Sequence, residues 1–376
     1  MSRYALKKGL FWSVIGLIVL FSVFFLFGCI ETPQEQKTKV GVLMPLTGFL
    51  SHVGQDTRHA IEMAFEDLGA SNDIELVFED EMCNATQALT AYRKLVDIDQ
   101  VDFIIGPFCG QSAMSVLSFL NQQKIIAISP GAPDNELSQA NDYFFRTRVP
   151  NKVETKKIVD FLIEKGIIRV ATYTAKNTFG ESFKNSFIEQ FTAQGGEIVF
   201  SEGSTDSQSE FRTEIIKIKE TNPEAVFLVP ASRQQMGIFV KQTKELDFFP
   251  LIVGAAVTKQ QDLLDAAGNA ADGIIYPYTL DQQNLFPKQE EIYNRFLDRY
   301  NRPPTMEVLN GYDAFQILFT KIKECNANKE CVRTKLNELK DFDGVTGLVS
   351  FDEFGDSQVS LILKTIQNGE FIRYEE

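Results

Sequence analysis

Reactive side chains are sparse in this 376-residue chain, and their spacing favours binding over catalysis. The two histidines, His52 and His59, fall in no metal-ligand motif, and the helical pattern around His59 sets it on a solvated helix face. There is no Gly-x-Ser-x-Gly elbow, no Walker loop and no Gly-x-Gly-x-x-Gly after an expected strand. Nucleophilic, phosphate-cradling and dinucleotide chemistries therefore lack their motifs. Glu79, Asp80 and Glu81 have the right atoms for a metal, but three successive acids at a strand end are expected on solvated surface. No metal, cofactor or enzymatic activity is expected.

The groups best suited to holding a small molecule lie in two loops. Residues 106–112 (Gly-Pro-Phe-Cys-Gly-Gln-Ser) follow one apolar run, and residues 129–133 (Ser-Pro-Gly-Ala-Pro) follow the next. In an open α/β sheet, ligands bind beyond the carboxyl ends of strands, where loop amides and helix N-termini offer free donors. Such loops also serve as plain turns, so on this pattern alone a cleft and ordinary turns stand level.

The elements needed to position those loops can be read from periodicity. β-branched runs at 40–44, 74–78, 102–105 and 125–128 alternate with amphipathic segments, and Ile61, Ala64, Phe65 and Leu68 share one helical face. After the turn-rich stretches 129–136 and 143–150 the alternation resumes, with strands expected at 170–174, 198–201, 225–229, 251–253 and 273–276. Phe183, Phe187 and Phe191 recur every fourth residue, as in a helix laid on a sheet. The later chain is helical, with one face at Tyr293, Phe296, Leu297 and Tyr300 and another at Phe315, Leu318, Phe319 and Ile322. It ends in strands at 345–351 and 359–365 and an Asn368-Gly369 turn. The fold class is α/β, in two lobes with parallel sheets.

Charge and composition narrow the partners. Lys and Arg number 37 against 51 Asp and Glu, a net charge of −14, and no basic stripe follows the extreme N-terminus, so nucleic acid is excluded as a partner. Arg3, Lys7 and Lys8 precede an uncharged apolar run at 10–27, followed by Gly28 and Cys29 and a polar stretch at 31–39. This pattern is an export or membrane signal. It is read either as a lipoprotein signal with Cys29 as the lipidated residue, the favoured reading, or as a retained helix. Both place the body outside the cytoplasm, tethered to a membrane. Cys83, Cys109, Cys325 and Cys331 then form an even set in a compartment that permits disulfides. Their spacing excludes zinc, and buried thiols are the alternative. Asn84-Ala85-Thr86 is a glycosylation sequon.

Taken in order, the motifs resemble the leucine-binding-type periplasmic proteins from about residue 39 to the end. The resemblance is carried by Gly41 to Gly48 with Gly54, the segment 80–83, Ile104-Ile105-Gly106-Pro107 before Cys109, and Ile128 to Ala132 before Glu136-Leu137. It continues through Phe144, Arg146 and Thr147, Phe179-Gly180, Phe211, Met236-Gly237, Gly273-Ile274 and Phe351 to Asp356. It implies two Rossmann-like lobes joined by three hinge strands near 147–151, 276–279 and 343–346. The lobes are 39–149 with 279–345, and 150–278 with 346–376, after a signal or anchor at 1–29 and a linker at 30–38. It also implies a Cys83–Cys109 disulfide, while Cys325 with Cys331 rests on closeness in sequence alone.

The function implied is an extracytoplasmic receptor that captures a small polar ligand by hinge closure and delivers it to ABC permease subunits. A sensor for a chemosensory or regulatory membrane partner is the alternative. The positions matching the family's ligand site are Gly110, Gln111, Ser112, Gly131, Ala132, Pro133, Phe179, Ser232, Arg233 and Ala256. Three depart from the branched-chain amino-acid binders: Gly110 stands for a serine, Pro133 for a threonine and Ala256 near an acid that pairs with the ligand ammonium. The expected cargo is therefore branched-chain amino-acid-like, or an organic acid or amide held by loop amides and Arg233, with Phe179 on its apolar part.

Overall fold

The computed structural model describes residues 37–139, 143–205, 207–259 and 261–375, apart from the side chain of Arg233. The apolar run at 10–27 and Cys29 lie outside the described residues. Among the described residues no helix is long and apolar enough to cross a membrane.

Five parallel strands form the first sheet: β1 (Thr38–Met44), β2 (Ile74–Asp80), β3 (Phe103–Ile105), β4 (Ile126–Ser129) and β5 (Phe144–Arg146), in the order β2-β1-β3-β4-β5. The first four follow the β-branched runs. β5 comes from a stretch read as a connection, since three residues are too few to show a period, though all three are buried. The connecting helices are α1 (Ser51–Asp67), α2 (Ala85–Arg93) and α3 (Gly110–Gln123).

The second sheet runs β15-β14-β10-β9-β8-β6-β7. Its parallel strands are β6 (Arg169–Ala175), β7 (Glu197–Ser204), β8 (Ala225–Val229), β9 (Leu251–Val253) and β10 (Ile275–Tyr278). Its helices are α4 (Asn151–Glu164), α5 (Thr178–Ala193), α6 (Arg212–Glu220), α7 (Arg233–Glu245) and α8 (Gln261–Ala267). Phe183, Phe187 and Phe191 of α5 are fully buried, and Phe187 stacks on Phe227 of β8 with centroids 4.2 Å apart. Each buried phenyl group contributes about 1.5–3 kcal/mol, so these positions carry much of this lobe's packing.

The chain then returns to the first sheet through α9 (Pro287–Tyr300), α10 (Met306–Glu324) and α11 (Lys329–Asn337). α10 lies on α1, where Phe315 meets Phe65 edge to face at 5.8 Å. A small antiparallel ladder follows, β11 (Phe342–Gly344), β12 (Gly347–Phe351) and β13 (Ser357–Gln358). The buried Asp313 of α10 holds its turn, accepting the Val345 amide at 2.6 Å and the Thr346 amide at 2.9 Å. Only after this ladder does the chain pass to the second sheet, as the antiparallel pair β14 (Ile362–Gln367) and β15 (Glu370–Arg373). The third crossing therefore falls at 358–362 rather than at 343–346. Residues 346–358 stay beside β5, where Phe351 packs on Phe145 at 5.6 Å and Asp356 bridges Arg146.

That bridge is the hub of the crossings. Arg146 is fully buried, and its Nε donates to Asp356 Oδ1 at 2.7 Å. Its Nη1 donates to the carbonyls of Ala132 and Asp134 at 3.1 and 2.7 Å, and its Nη2 to Ser138 Oγ at 2.8 Å. One guanidinium thus fixes the loop after β4 to the turn that precedes the third crossing, with its planar fork of donors.

Candidate functional site: a cleft at the strand ends

The loop after β3 is anchored from beneath by an acid. Glu81 is fully buried and accepts the amides of Phe108 and Cys109 at 3.1 and 2.8 Å. Burial pushes its carboxyl up to about 8 against the pull of those two amides. The acid run is therefore not a solvated surface: Asp80 accepts the Leu46 and Met82 amides, each at 2.9 Å, and Glu79 pairs with Lys94. Glu81 clusters with the sulfurs of Cys83 and Cys109, which are bonded to each other across a Cα separation of 5.3 Å. Cys325 and Cys331 are likewise bonded, with Cα atoms 5.7 Å apart. His59 departs from its expected solvated face as well. It is half-buried and stacks on Tyr300 at 4.3 Å, and burial lowers its imidazole below the usual range.

This loop delivers Gly110 to the first turn of α3, facing the loop after β4. In that second loop Ser129 Oγ donates to the Pro107 carbonyl at 2.6 Å and accepts the Ala132 amide at 3.0 Å, which ties the two loops together. Beyond Pro133 comes Asp134, only 2% exposed. Its carboxylate occupies the space a side chain at 110 would need, because a Cβ built on Gly110 lies 1.6 Å from Asp134 Oδ2. Burial and nearby Glu136 raise the Asp134 carboxyl to about 6, against the opposing pull of Arg146 and its own backbone amide.

The second sheet supplies the facing wall by the same rule. After β6, Asn177 Oδ1 caps α5 by accepting the Gly180 amide at 3.0 Å, which presents Phe179 edge to face against Phe183 at 5.0 Å. After β8, Ser232 Oγ caps α7 by accepting the Gln235 amide at 3.2 Å. Beside the cavity the walls touch, as Asn135 Nδ2 donates to Ser182 Oγ at 3.3 Å and to Ser186 Oγ.

Between these loops lies a cavity of about 320 Å³, within the range of small-ligand sites. Gly110, Gln111, Gly131, Pro133, Phe179 and Ser232 line it. Ser112, Ala132 and Ala256 do not; they lie behind its wall, all buried. The side chain of Arg233 lies outside the described residues, and its backbone opens α7. The sequence reading passed over Phe49, Asp134, Arg148 and Glu307, which all line the cavity. Arg148 is buried in an ion pair with Glu154, whose Oε2 accepts the Ala256 amide at 2.7 Å. Ala256 thus serves the wall through its backbone. Among the described side chains the cleft offers two carboxylates, one already paired guanidinium and several phenyl groups, beside the loop amides.

The chain matches the periplasmic binding protein family over residues 37–360. The Leu/Ile/Val-binding protein of Escherichia coli (strain K12) is 23% identical over 346 residues, covering 88% of this chain and 92% of the relative. The amino acid binding protein of Pseudomonas aeruginosa is 22% identical over 369 residues, covering 96% of each. Among solved structures, the leucine binding protein LivK of Thermotoga maritima superposes with a TM-score of 0.80 at 21% identity, covering 90% of this chain and 98% of that one. A solute binding protein of an ABC transporter from R. palustris, in complex with benzoate, superposes with a TM-score of 0.79 at 21% identity, covering 90% and 95%. At these identities the structural likenesses speak for the fold: two parallel-sheet lobes of the type I periplasmic-binding-protein class.

Proposed function

Because the chain belongs to the periplasmic binding protein family, we propose that it is an extracytoplasmic solute-binding receptor of an ABC importer, which closes its two lobes on a small ligand. The observation that carries this reading is the cavity of about 320 Å³, built from strand-end loops of both sheets, with Gly110 and Asp134 on one side and Phe179 and Ser232 on the other. A ligand touching both walls binds the closed state better than the open one, and that difference in affinity drives closure. The crossings at 147–150, 279–286 and 359–361 are where the backbone rotates. The relatives bound to or named for leucine, isoleucine, valine and benzoate support a compact cargo with an apolar body, which Phe49, Phe108 and Phe179 would contact. The N-terminal segment tethers the receptor at the outer face of the membrane beside its permease. The role is delivery rather than catalysis, a reading supported by relatives that are named as binding proteins.

The test is small-angle scattering of the chain with and without a saturating probe that raises its melting temperature. Contraction of the radius of gyration is expected. A bound probe that leaves the radius unchanged refutes closure, and with it the receptor mechanism.

A further inference from the structure

Resting on the receptor reading, we infer that the ligand presents an amine or amidine nitrogen to Asp134, so that the cargo is a small organic cation rather than a carboxylate. Gly110 is more than a lost serine. The Asp134 carboxylate fills the place of the missing side chain, at the N-terminus of α3, on the wall of the cavity. A ligand carboxylate seated at that helix end would meet a carboxylate already there, and like charges at such a distance cannot both be ionised cheaply.

The partner that would make Asp134 purely structural is engaged elsewhere. The three nitrogens of Arg146 bond Asp356, Ser138 and the carbonyls of Ala132 and Asp134. Asp134 is 2% exposed, and the contact its carboxylate takes from its own backbone amide leaves acceptor capacity that a ligand donor can use. The remaining charges on the wall agree. Arg148 is neutralised by Glu154 behind it, and Glu307 adds a second carboxylate. Among the described side chains of the wall, the carboxylates of Asp134 and Glu307 outnumber the one guanidinium, that of Arg148. Phe49, Phe108 and Phe179 add phenyl surface suited to the apolar part of such a cation.

Two matched pairs of probes decide between the charges: leucine against 3-methylbutylamine, its equivalent without the carboxylate, and benzoate against benzamidine, near-isosteric with opposite charge. Calorimetric titration of the full chain is expected to show binding of the amine and the amidine. In Asp134→Asn, which keeps the shape and removes the charge, their affinity falls at least tenfold while the variant's own melting curve shows it folded. Glu136 and Arg146 act on Asp134, Arg148 and Glu307 share its wall, and Lys259, which burial lowers to about 7, acts on Glu307. Asp134, raised to about 6, is the described wall carboxylate whose ionisation falls between pH 5 and pH 8. Benzamidine affinity should therefore rise about tenfold from pH 5 to pH 8 in the native protein and stay flat in Asp134→Asn. Binding of leucine or benzoate with neither cation bound overturns the inference, as does cation binding that survives Asp134→Asn, or no binding of either cation. All three leave the receptor reading standing, because that reading fails only when a bound probe produces no closure.

Discussion

Replacing Gly110 with alanine tests the interlock at the cleft without any ligand. The added Cβ would stand 1.6 Å from Asp134 Oδ2, 2.3 Å from its Cγ and 2.8 Å from Oδ1. Ordinary contact needs roughly 3.5 Å, so the carboxylate must retreat by close to 2 Å. It has little room, since Asp134 is 2% exposed and its carbonyl is held by Arg146 at 2.7 Å. Overpacking of this kind costs about 1–3 kcal/mol, more than alanine gains over glycine in a helix. In an Asp134→Ala background the obstacle is gone, and the same substitution should be neutral or slightly stabilising. Urea denaturation of the native protein, both single variants and the double variant therefore gives a coupling energy of about 1–3 kcal/mol. Additivity within about 0.5 kcal/mol would refute the claim that the carboxylate occupies the space of a side chain at 110.

Other consequences can be checked by similar means. Glu81 has its folded carboxyl raised to about 8 from an ordinary 4.5, so between those values only the unfolded state releases its proton. Stability should fall as pH rises through that window, by at most about 1.4 kcal/mol per pH unit, and level off above it; urea midpoints at pH 5 and 8 that fall equally in native protein and Glu81→Gln would contradict this. Arg146→Ala leaves the buried Asp356 carboxylate to Lys152 at 3.3 Å and Ser138 at 2.7 Å and frees the carbonyls of Ala132 and Asp134, and should cost about 3 kcal/mol, with Arg146→Lys recovering only part; a loss below about 1 kcal/mol in chemical denaturation would show the hub to be dispensable. Phe49 lines the cavity yet is 75% exposed, so Phe49→Ala should leave stability within about 0.5 kcal/mol and weaken whichever matched probe binds. Unchanged titration curves would remove Phe49 from the site.

Regular repetition was legible in the chain, and pairwise geometry was not. Phe183, Phe187 and Phe191 announce a buried helix face by spacing alone, and α5 packs all three inward. β5 is equally buried but only three residues long, too short to show a period. Gly110 stood out as a missing hydroxyl, yet its meaning depends on Asp134, which sat unnoticed one residue beyond Pro133. Arg148 lay in a stretch read as hinge, and its role needs Glu154 and Ala256, brought to it by other elements. Glu81 shows the same limit. An acid run reads as surface until the fold lays the amides of Phe108 and Cys109 on it. The third crossing was misplaced because the ladder β11-β12-β13 has strand character and no sign of which sheet it attends.

The interlock of Gly110 and Asp134 also sets an order on future change. A descendant of this protein could acquire a hydroxyl at position 110 without strain only after position 134 had given up its carboxylate, because the reverse order passes through an overpacked intermediate. The permissive step comes first, and it discards the charge before any replacement contact exists. Change of cargo along this lineage is therefore a path with a fixed sequence of moves and an empty-handed middle, which gives selection a reason to leave both residues where they are.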